Sequence, residues 1–404
     1  MAQYLAGGMM KNGVDCVVIG GGVVGLMTAA RLASAGRSVR LIERDLLGAG
    51  ATTSNHGLIH SGALYARWHP EIVTTCAQAQ IAYRSSFPDC VVATQPSWYY
   101  GTAETMHTYR QLWRRHDIVH HRVDGRDIGE TLRVDGRDVA ACAIGELVID
   151  THALLNQLAA QSIRLGVQIS VGMKAARIVT ETRRVRGVAT AQGMLYAPTV
   201  VVCAGIGTRA LLDDAGSMIG ATLSSRLEML TAYPGVLSRP LIGLEFGWPA
   251  LAPTATGVVL ASRYGGVQPT VTTAGRWPVP TGEAAALDAE LREWLAPGVI
   301  TYGQANAWVC SKTEHLGPDA DQWGTAPNYA VIDHAAREQL HGLFTALPGK
   351  MTLAMHASRE VAAAITGTPE PLGVRVDRAA ESDDDAHGLV AGQPWVSESM
   401  QVTR

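Results

Sequence analysis

Residues Val14 to Asp45, VDCVVIGGGVVGLMTAARLASAGRSVRLIERD, constrain this chain more than any other stretch. They set strand, glycine turn, helix, second strand and acid in the order that a nucleotide-binding β-α-β unit requires. An apolar run, Cys16 to Ile19, meets Gly20, Gly22 and Gly25, where missing side chains permit a tight turn, the approach of a pyrophosphate and close helix-on-strand packing. Val23 and Val24 then open a helix whose N–H groups and positive dipole end face the phosphates. Apolar positions Leu26, Ala29, Ala30 and Ala33 recur at helical spacing, and the strand Val39 to Ile42 delivers Glu43, beside Arg44, where a carboxylate accepts ribose hydroxyls. A glycine turn alone also arises from packing; the complete order of parts points to a dinucleotide enzyme with a Rossmann-like α/β domain.

At 404 residues with 47 % hydrophobic content, the chain is long enough for two domains or one elaborated one. A net charge of −3, with no basic run longer than pairs such as Arg114 and Arg115, argues against nucleic acid as a partner. Six cysteines scatter without a C-x-x-C pair, which fits a reducing compartment and argues against a structural metal. The longest apolar run, Val14 to Ala33, contains four glycines and Arg31, so the nucleotide unit explains it better than a membrane span. Met1 to Gly13 lacks the pattern of a secretion signal, and the cytoplasm is the expected location. Residues 371–404, with Ser382 to Asp385 and few apolar positions, read as a disordered tail.

The choice of dinucleotide rests on Gly48 to Tyr65, GAGATTSNHGLIHSGALY. Small and hydroxyl-bearing residues, Thr52, Thr53, Ser54, Asn55, His56 and Gly57 among them, suit a segment pressed against a flat ring system, which favours FAD. SNHGLIHSGALY resembles the flavin-facing segment of the FAD-dependent glycerol-3-phosphate dehydrogenases and oxidases and of the L-2-hydroxyglutarate oxidases, within the D-amino-acid-oxidase-like superfamily. Three further segments are similar to parts of that superfamily. Val148 to Leu155 resembles the start of a second nucleotide-binding section, with Asp150 or Thr151 as helix cap; Thr199 to Gly207 resembles a phosphate-side strand ending in Ala204 and Gly205; Asn328 to Ala364 resembles the closing strand and helix that hold the isoalloxazine.

The resemblance implies a glutathione-reductase-type FAD-binding domain built from residues 12–90, 145–215 and 328–370. An antiparallel β-sheet substrate cap would come from 91–144 and 216–327. In the cap, Val258 to Ala261 and Thr270 to Thr273 read as β-strand, and Glu283 to Trp294 as a helix stopped by Pro297-Gly298. Toward the end, Gly342 to Leu347 reads as a strand broken by Pro348 and Gly349, with a helix from Lys350 to Ile365. That helix start, with Gly349, Lys350 and Met351, would stabilise negative charge on reduced flavin, and Lys350 would add a full charge unless it is solvated.

Removing a hydride from a carbon that bears a hydroxyl needs a base for the hydroxyl proton, and histidine titrates in the right range. His60 is the candidate base, and the histidine matching it in the resembled oxidases has that proposed role; the alternative is a histidine bonded to flavin or backbone without proton transfer. His56 is the candidate for covalent flavin attachment by a likeness to the dimethylglycine and sarcosine dehydrogenase branch, although its N-H-G-L context matches the non-covalent one. Where the glycerol-3-phosphate enzymes carry arginine before the tyrosine, this chain has Leu64 before Tyr65, which puts glycerol 3-phosphate in doubt. Arg263, Lys312 or Arg226 could anchor an acidic substrate instead, and Tyr65 could hydrogen-bond it. The expected reaction is oxidation of a secondary alcohol, a 2-hydroxy acid or polyol derivative, to a ketone, with oxygen or a soluble carrier as acceptor. Amine or amino-acid oxidation on the same fold is the alternative, and a protein that binds FAD structurally, or serves as a subunit, without turnover of its own is the third reading.

Overall fold

A computed structural model describes residues 13–92, 95–263, 277–303, 306–316, 328–376, 386 and 388–396. The expected first unit is present. Strand β1 (Cys16–Ile19) leads through Gly20 to Gly22 into helix α1 (Val23–Ser34) and strand β2 (Val39–Ile42). Four later strands complete a six-stranded sheet: β3 (Gln168–Ser170), β4 (Thr199–Val202), β5 (Ala330–Asp333) and β6 (Leu343–Leu347). Their order is β5-β6-β4-β1-β2-β3, parallel except for β5. Ile19 pairs with both Ile42 and Val202, so β1, β2 and β4 end together and their following loops share one carboxyl edge. In an open parallel sheet that edge is where ligands bind.

α1 is buried from Val23 to Leu32, covered on its outer side by helices α2 (Thr151–Arg164) and α3 (Ala354–Thr366). Leu26, Leu32 and Leu41 have 0 % exposure, and burying each contributes roughly 2 kcal/mol. Of the two caps the sequence offers, Asp150 is the one that caps α2, accepting the N–H groups of His152 and Ala153 at 2.9 and 3.1 Å, while Thr151 is the first helical residue.

An eight-stranded sheet stands over the carboxyl edge. Its order runs Asn306–His315, Leu223–Pro234, Val258–Arg263, Pro249–Pro253, Leu241–Gly243, Ser97–Gly101, Ala140–Ile144 and His121–Arg122. All its pairings are antiparallel but one, between Leu241–Gly243 and Ser97–Gly101. The helix Glu283–Trp294 falls where its sequence pattern puts it, and Leu287, Leu291 and Trp294 pack on this sheet. The expected strand at Thr270 to Thr273 lies outside the described residues.

Two expectations need correction. The last helix does not begin at Lys350: that residue is extended, a 3-10 turn covers Met351–Leu353, and α3 starts at Ala354. The left-handed turn at Gly349, φ +61°, precedes the extended residue and delays the α-helix by about one turn. Nor does all of 371–404 stand free. Ala386 and Val390 join the core around α1, Leu47 bridges to Val390, and Trp395 packs against Trp308 with ring centroids 5.5 Å apart. Scattered apolar residues in a polar segment thus fill slots on a core built by earlier elements. Ser382 to Asp385 lie outside the described residues.

Candidate active site

A cavity of about 490 Å³ opens at the shared carboxyl edge. Seven separate segments line it, Met173 to Ala176 after β3 among them. The glycine turn gives Gly20, Gly22, Val23 and Val24; the end of β2 gives Glu43 and Arg44; the next loop gives Thr52, Asn55, His56, His60 and Tyr65. Ala204 and Gly205 follow β4, Gly349, Lys350 and Met351 follow β6, and Lys312 reaches in from the strand Asn306–His315. Chain topology alone brings these residues, up to 331 positions apart, to one wall (Gly20 and Met351; 351 − 20).

The glycine turn fits a dinucleotide. Gly20 has φ +110°, and a Cβ there would lie 2.4 Å from the Cys203 carbonyl oxygen; a Cβ on Gly25 would lie 1.9 Å from the carbonyl oxygen of Gly20. The first glycine makes the turn and the third lets α1 sit on it. The Thr52 hydroxyl accepts the Val23 N–H at 3.1 Å, holding the following loop against the helix start. Glu43 accepts the N–H of Gly21 at 2.8 Å and that of Asp45 at 3.0 Å, one through each carboxylate oxygen. Each oxygen keeps lone-pair capacity for a ribose hydroxyl. These residues suit the phosphates and ribose of FAD.

Several expected contacts sit behind the cavity wall instead. Thr53 donates its hydroxyl to the Gly48 carbonyl at 2.9 Å, and the Ser54 carbonyl accepts from the Trp308 indole at 2.8 Å. Gly57, φ +72°, lies against the Ile149 carbonyl, and Gly25 serves the helix contact. Leu64 packs beside the cluster of Tyr99, Tyr109 and Trp113. Arg263 is bound to Glu283 at 2.6 Å and Glu290 at 3.2 Å, tying its strand to the cap helix. Arg226 pairs with Glu228 and Glu314 at 3.1 and 3.4 Å. Of the cations considered as anchors, Lys312 lines the cavity, as does Lys350, whereas Arg263 and Arg226 do not.

The polar centre of the cavity is a group of buried titratable side chains. His60 is 9 % exposed; its backbone N–H donates to the Thr352 hydroxyl at 3.0 Å, and its ring meets Tyr65 edge-on, centroids 5.3 Å apart. Burial, and then His56, Lys312 and Lys350, push the His60 imidazole well below its usual range, so it is neutral. His56 is pushed down to about 4 by burial and Lys312, and its Nδ1 accepts the Leu58 N–H at 3.3 Å. Burial lowers Lys350 to about 8 against the pull of Glu314, and its ammonium stands 4.9 Å over the Tyr65 ring. Burial alone would raise the Glu228 carboxyl, but Lys312, at 2.6 Å, and Arg226 outweigh it and hold it at about 2.

Two acids here carry no motif. Glu228 shares a strand face with Arg226, and Arg226 pairs in register with Lys312 on the next strand; charge at alternate positions of a largely buried strand is the signal that could have found it. Glu146, between the strands Ala140–Ile144 and Leu147–Val148, is 3 % exposed and approaches His60 from behind the cavity wall. Nothing in its local sequence marks it.

Among the described residues, no His, Cys, Asp and Glu group could hold a metal ion, and no helix is long and apolar enough to cross a membrane. The FAD dependent oxidoreductase (DAO) family profile matches residues 15–360. A protein of Pseudomonas aeruginosa named a probable FAD-dependent oxidoreductase is 27 % identical over 245 residues, which is 56 % of this chain and 60 % of that protein. One polypeptide of the anaerobic glycerol-3-phosphate dehydrogenase of Escherichia coli is 39 % identical over 80 residues, 20 % of this chain and 15 % of that polypeptide. Among solved structures, NikD, described as an unusual amino acid oxidase essential for nikkomycin biosynthesis, has a TM-score of 0.72 at 15 % identity, covering 90 % of this chain and 98 % of its own. Glycine oxidase from Geobacillus kaustophilus has a TM-score of 0.70 at 16 % identity, covering 91 % and 99 %.

Proposed function

Because the chain belongs to the FAD dependent oxidoreductase family, we propose that it oxidises a small 2-hydroxy acid to the 2-oxo acid, with His60 as base. The observation that carries this reading is the meeting of a neutral, nearly buried His60 with Lys312 and Lys350 at one cavity. FAD, when bound, supplies the acceptor for the two electrons that leave the substrate carbon. Lys312 and Lys350 balance a carboxylate. His60, held neutral, takes the hydroxyl proton, and Tyr65 beside it offers a hydroxyl that orients the substrate. Gly20, Gly22, Val23, Val24, Glu43, Arg44, Thr52, Asn55, Ala204, Gly205, Gly349 and Met351 are the residues assigned to FAD, with oxygen or a soluble carrier as final acceptor.

The second reading is oxidation of a 2-amino acid. It draws support from the titles of the similar solved structures, which include a glycine oxidase and an amino acid oxidase. The same two lysines would favour the neutral amine over the ammonium form. Anaerobic absorbance scans of the purified yellow protein against 2-hydroxy acids, polyol phosphates and amino acids separate the two. Bleaching by a hydroxy acid, slowed about 100-fold or more in His60→Ala, supports the first reading. Bleaching by amino acids alone, little changed in His60→Ala, moves the enzyme to the second, and a flavin that no compound bleaches points to a flavin-binding protein without turnover.

A further inference from the structure

We propose that Glu146 is the positioning residue of His60: its carboxylate fixes the imidazole with Nδ1 protonated, so that Nε2 meets the substrate as the base. The inference rests on the reading of His60 as base and adds to it the group that makes the base work.

The carboxylate is itself held firmly. Oε1 accepts the Ser61 hydroxyl at 2.6 Å and the Tyr99 hydroxyl at 2.5 Å, and Oε2 accepts the Ser61 N–H at 2.7 Å. Ser61 follows His60 in the chain, so the acid is pinned to the same stretch of backbone that carries the ring. Oε2 keeps a further lone pair and lies 3.9 Å from His60 Nδ1. That nitrogen is enclosed and makes no hydrogen bond among the described residues. A ring nitrogen that faces an anion without solvent favours its N–H form, because a lone pair there would be repelled. A small tilt of the ring brings that N–H into hydrogen-bond range, as binding of cofactor and substrate commonly does.

The charges around the ring make such a partner necessary. His56, Lys312 and Lys350 face His60 and oppose its protonation, Glu228 favours it, and Tyr65 lies edge-on. When the hydroxyl proton moves to Nε2, the Nδ1–H stays, the imidazolium charge is balanced by Glu146, and the hydrogen on the substrate carbon leaves with its bonding electron pair, as a hydride equivalent, for FAD. Burial lifts Glu146 to about 7, with Ser61 and Tyr99 pulling the other way, so the anion is present above that pH.

The tautomer can be read without substrate. Holoenzyme labelled with 15N-histidine, at pH 8, should show His60, assigned by the signal lost in His60→Gln, with Nδ1 protonated and Nε2 bare. Glu146→Gln should shift the ring toward the other tautomer, slow flavin reduction about 100-fold with KM nearly unchanged, and remove the ionisation near pH 7 from the rate profile. Tyr99→Phe, which keeps the carboxylate, should leave the tautomer as it is. An Nε2–H tautomer in the wild-type protein overturns the proposal without any variant, and so does a Glu146→Gln enzyme with an unchanged rate profile. If no hydroxy acid bleaches the flavin while the tautomer is as stated, the alcohol reading fails and the His60–Glu146 pairing stands. A hydroxy acid that bleaches through His60 in the wrong tautomer sinks the pairing alone.

Discussion

The Lys312 ammonium lies 2.6 Å from the Glu228 carboxylate across two neighbouring cap strands, and Arg226 holds the same acid at 3.1 Å. Glu228 therefore competes with any acidic substrate for Lys312, but keeps Arg226 when Lys312 is drawn away. Changes at the two ends of the pair should move substrate affinity in opposite directions. Lys312→Met should raise KM for the acid that bleaches the flavin about tenfold or more, through loss of a charged contact. Glu228→Gln should release Lys312 and lower KM. Steady-state kinetics at two salt concentrations check both; if neither variant moves KM, Lys312 is not the anchor.

Gly25 faces the Gly20 carbonyl so closely that a Cβ would lie 1.9 Å from its oxygen. Because that atom is backbone on the phosphate turn, relief requires α1 to lift from β1. Gly25→Ala should cost about 1–3 kcal/mol and weaken FAD binding. Thermal unfolding and flavin retention on gel filtration measure the two effects, and a fully loaded Gly25→Ala protein with wild-type Tm would contradict the close fit.

What the sequence made legible were features whose signal is local. The β-α-β unit, the Asp150 cap and the helix Glu283–Trp294 each depend on a few consecutive side chains, and each stands where the sequence puts it. Arg263 shows the opposite. In isolation it is a cation in a strand, and only packing reveals that Glu283 and Glu290, 20 and 27 residues on, take up its charge. Thr53 and Ser54 share a hydroxyl-rich run with Thr52 in the short helix Ala51–Ser54, but Thr52 lines the cavity while the Thr53 hydroxyl donates to the Gly48 carbonyl and the Ser54 backbone carbonyl accepts from the Trp308 indole. Glu146 could not be seen at all, since its meaning comes from Ser61 and Tyr99, 85 and 47 positions away.

Arg31, on α1, is 3 % exposed and reaches the far end of the chain. It pairs with Glu370 at 3.3 Å and donates to the carbonyls of Pro371 and Leu372, while its Nε donates to Ser358. Arg31→Met would leave two carbonyls and a partly buried carboxylate unpaired, which should cost about 2–4 kcal/mol. Glu370→Gln leaves the carbonyl contacts in place and should cost less than about 1 kcal/mol. Urea unfolding of both variants tests the ranking; equal losses would place the main contribution in the ion pair.

Glu146 sets a pH-dependent cost on the folded protein. Its carboxyl is raised from 4.5 to about 7 by burial, so the folded state binds a proton that the unfolded chain has already released between those values. The stabilisation from this group is therefore full below pH 4.5 and lost as pH rises through 7. His56 works with the opposite sign: neutral in the fold down to about 4 and near 6.5 when unfolded, it lowers stability as pH falls through that window. The two contributions oppose each other in the wild type, and Glu146→Gln removes one of them. The difference in unfolding free energy, Glu146→Gln minus wild type, should accordingly rise by about 2–3 kcal/mol between pH 5 and pH 8. Urea unfolding of the two proteins at both pH values measures it, and a difference that does not change with pH would show that the buried acid titrates at its ordinary value. The ion that carries this cost lies 3.9 Å from Nδ1 of His60, the base proposed above.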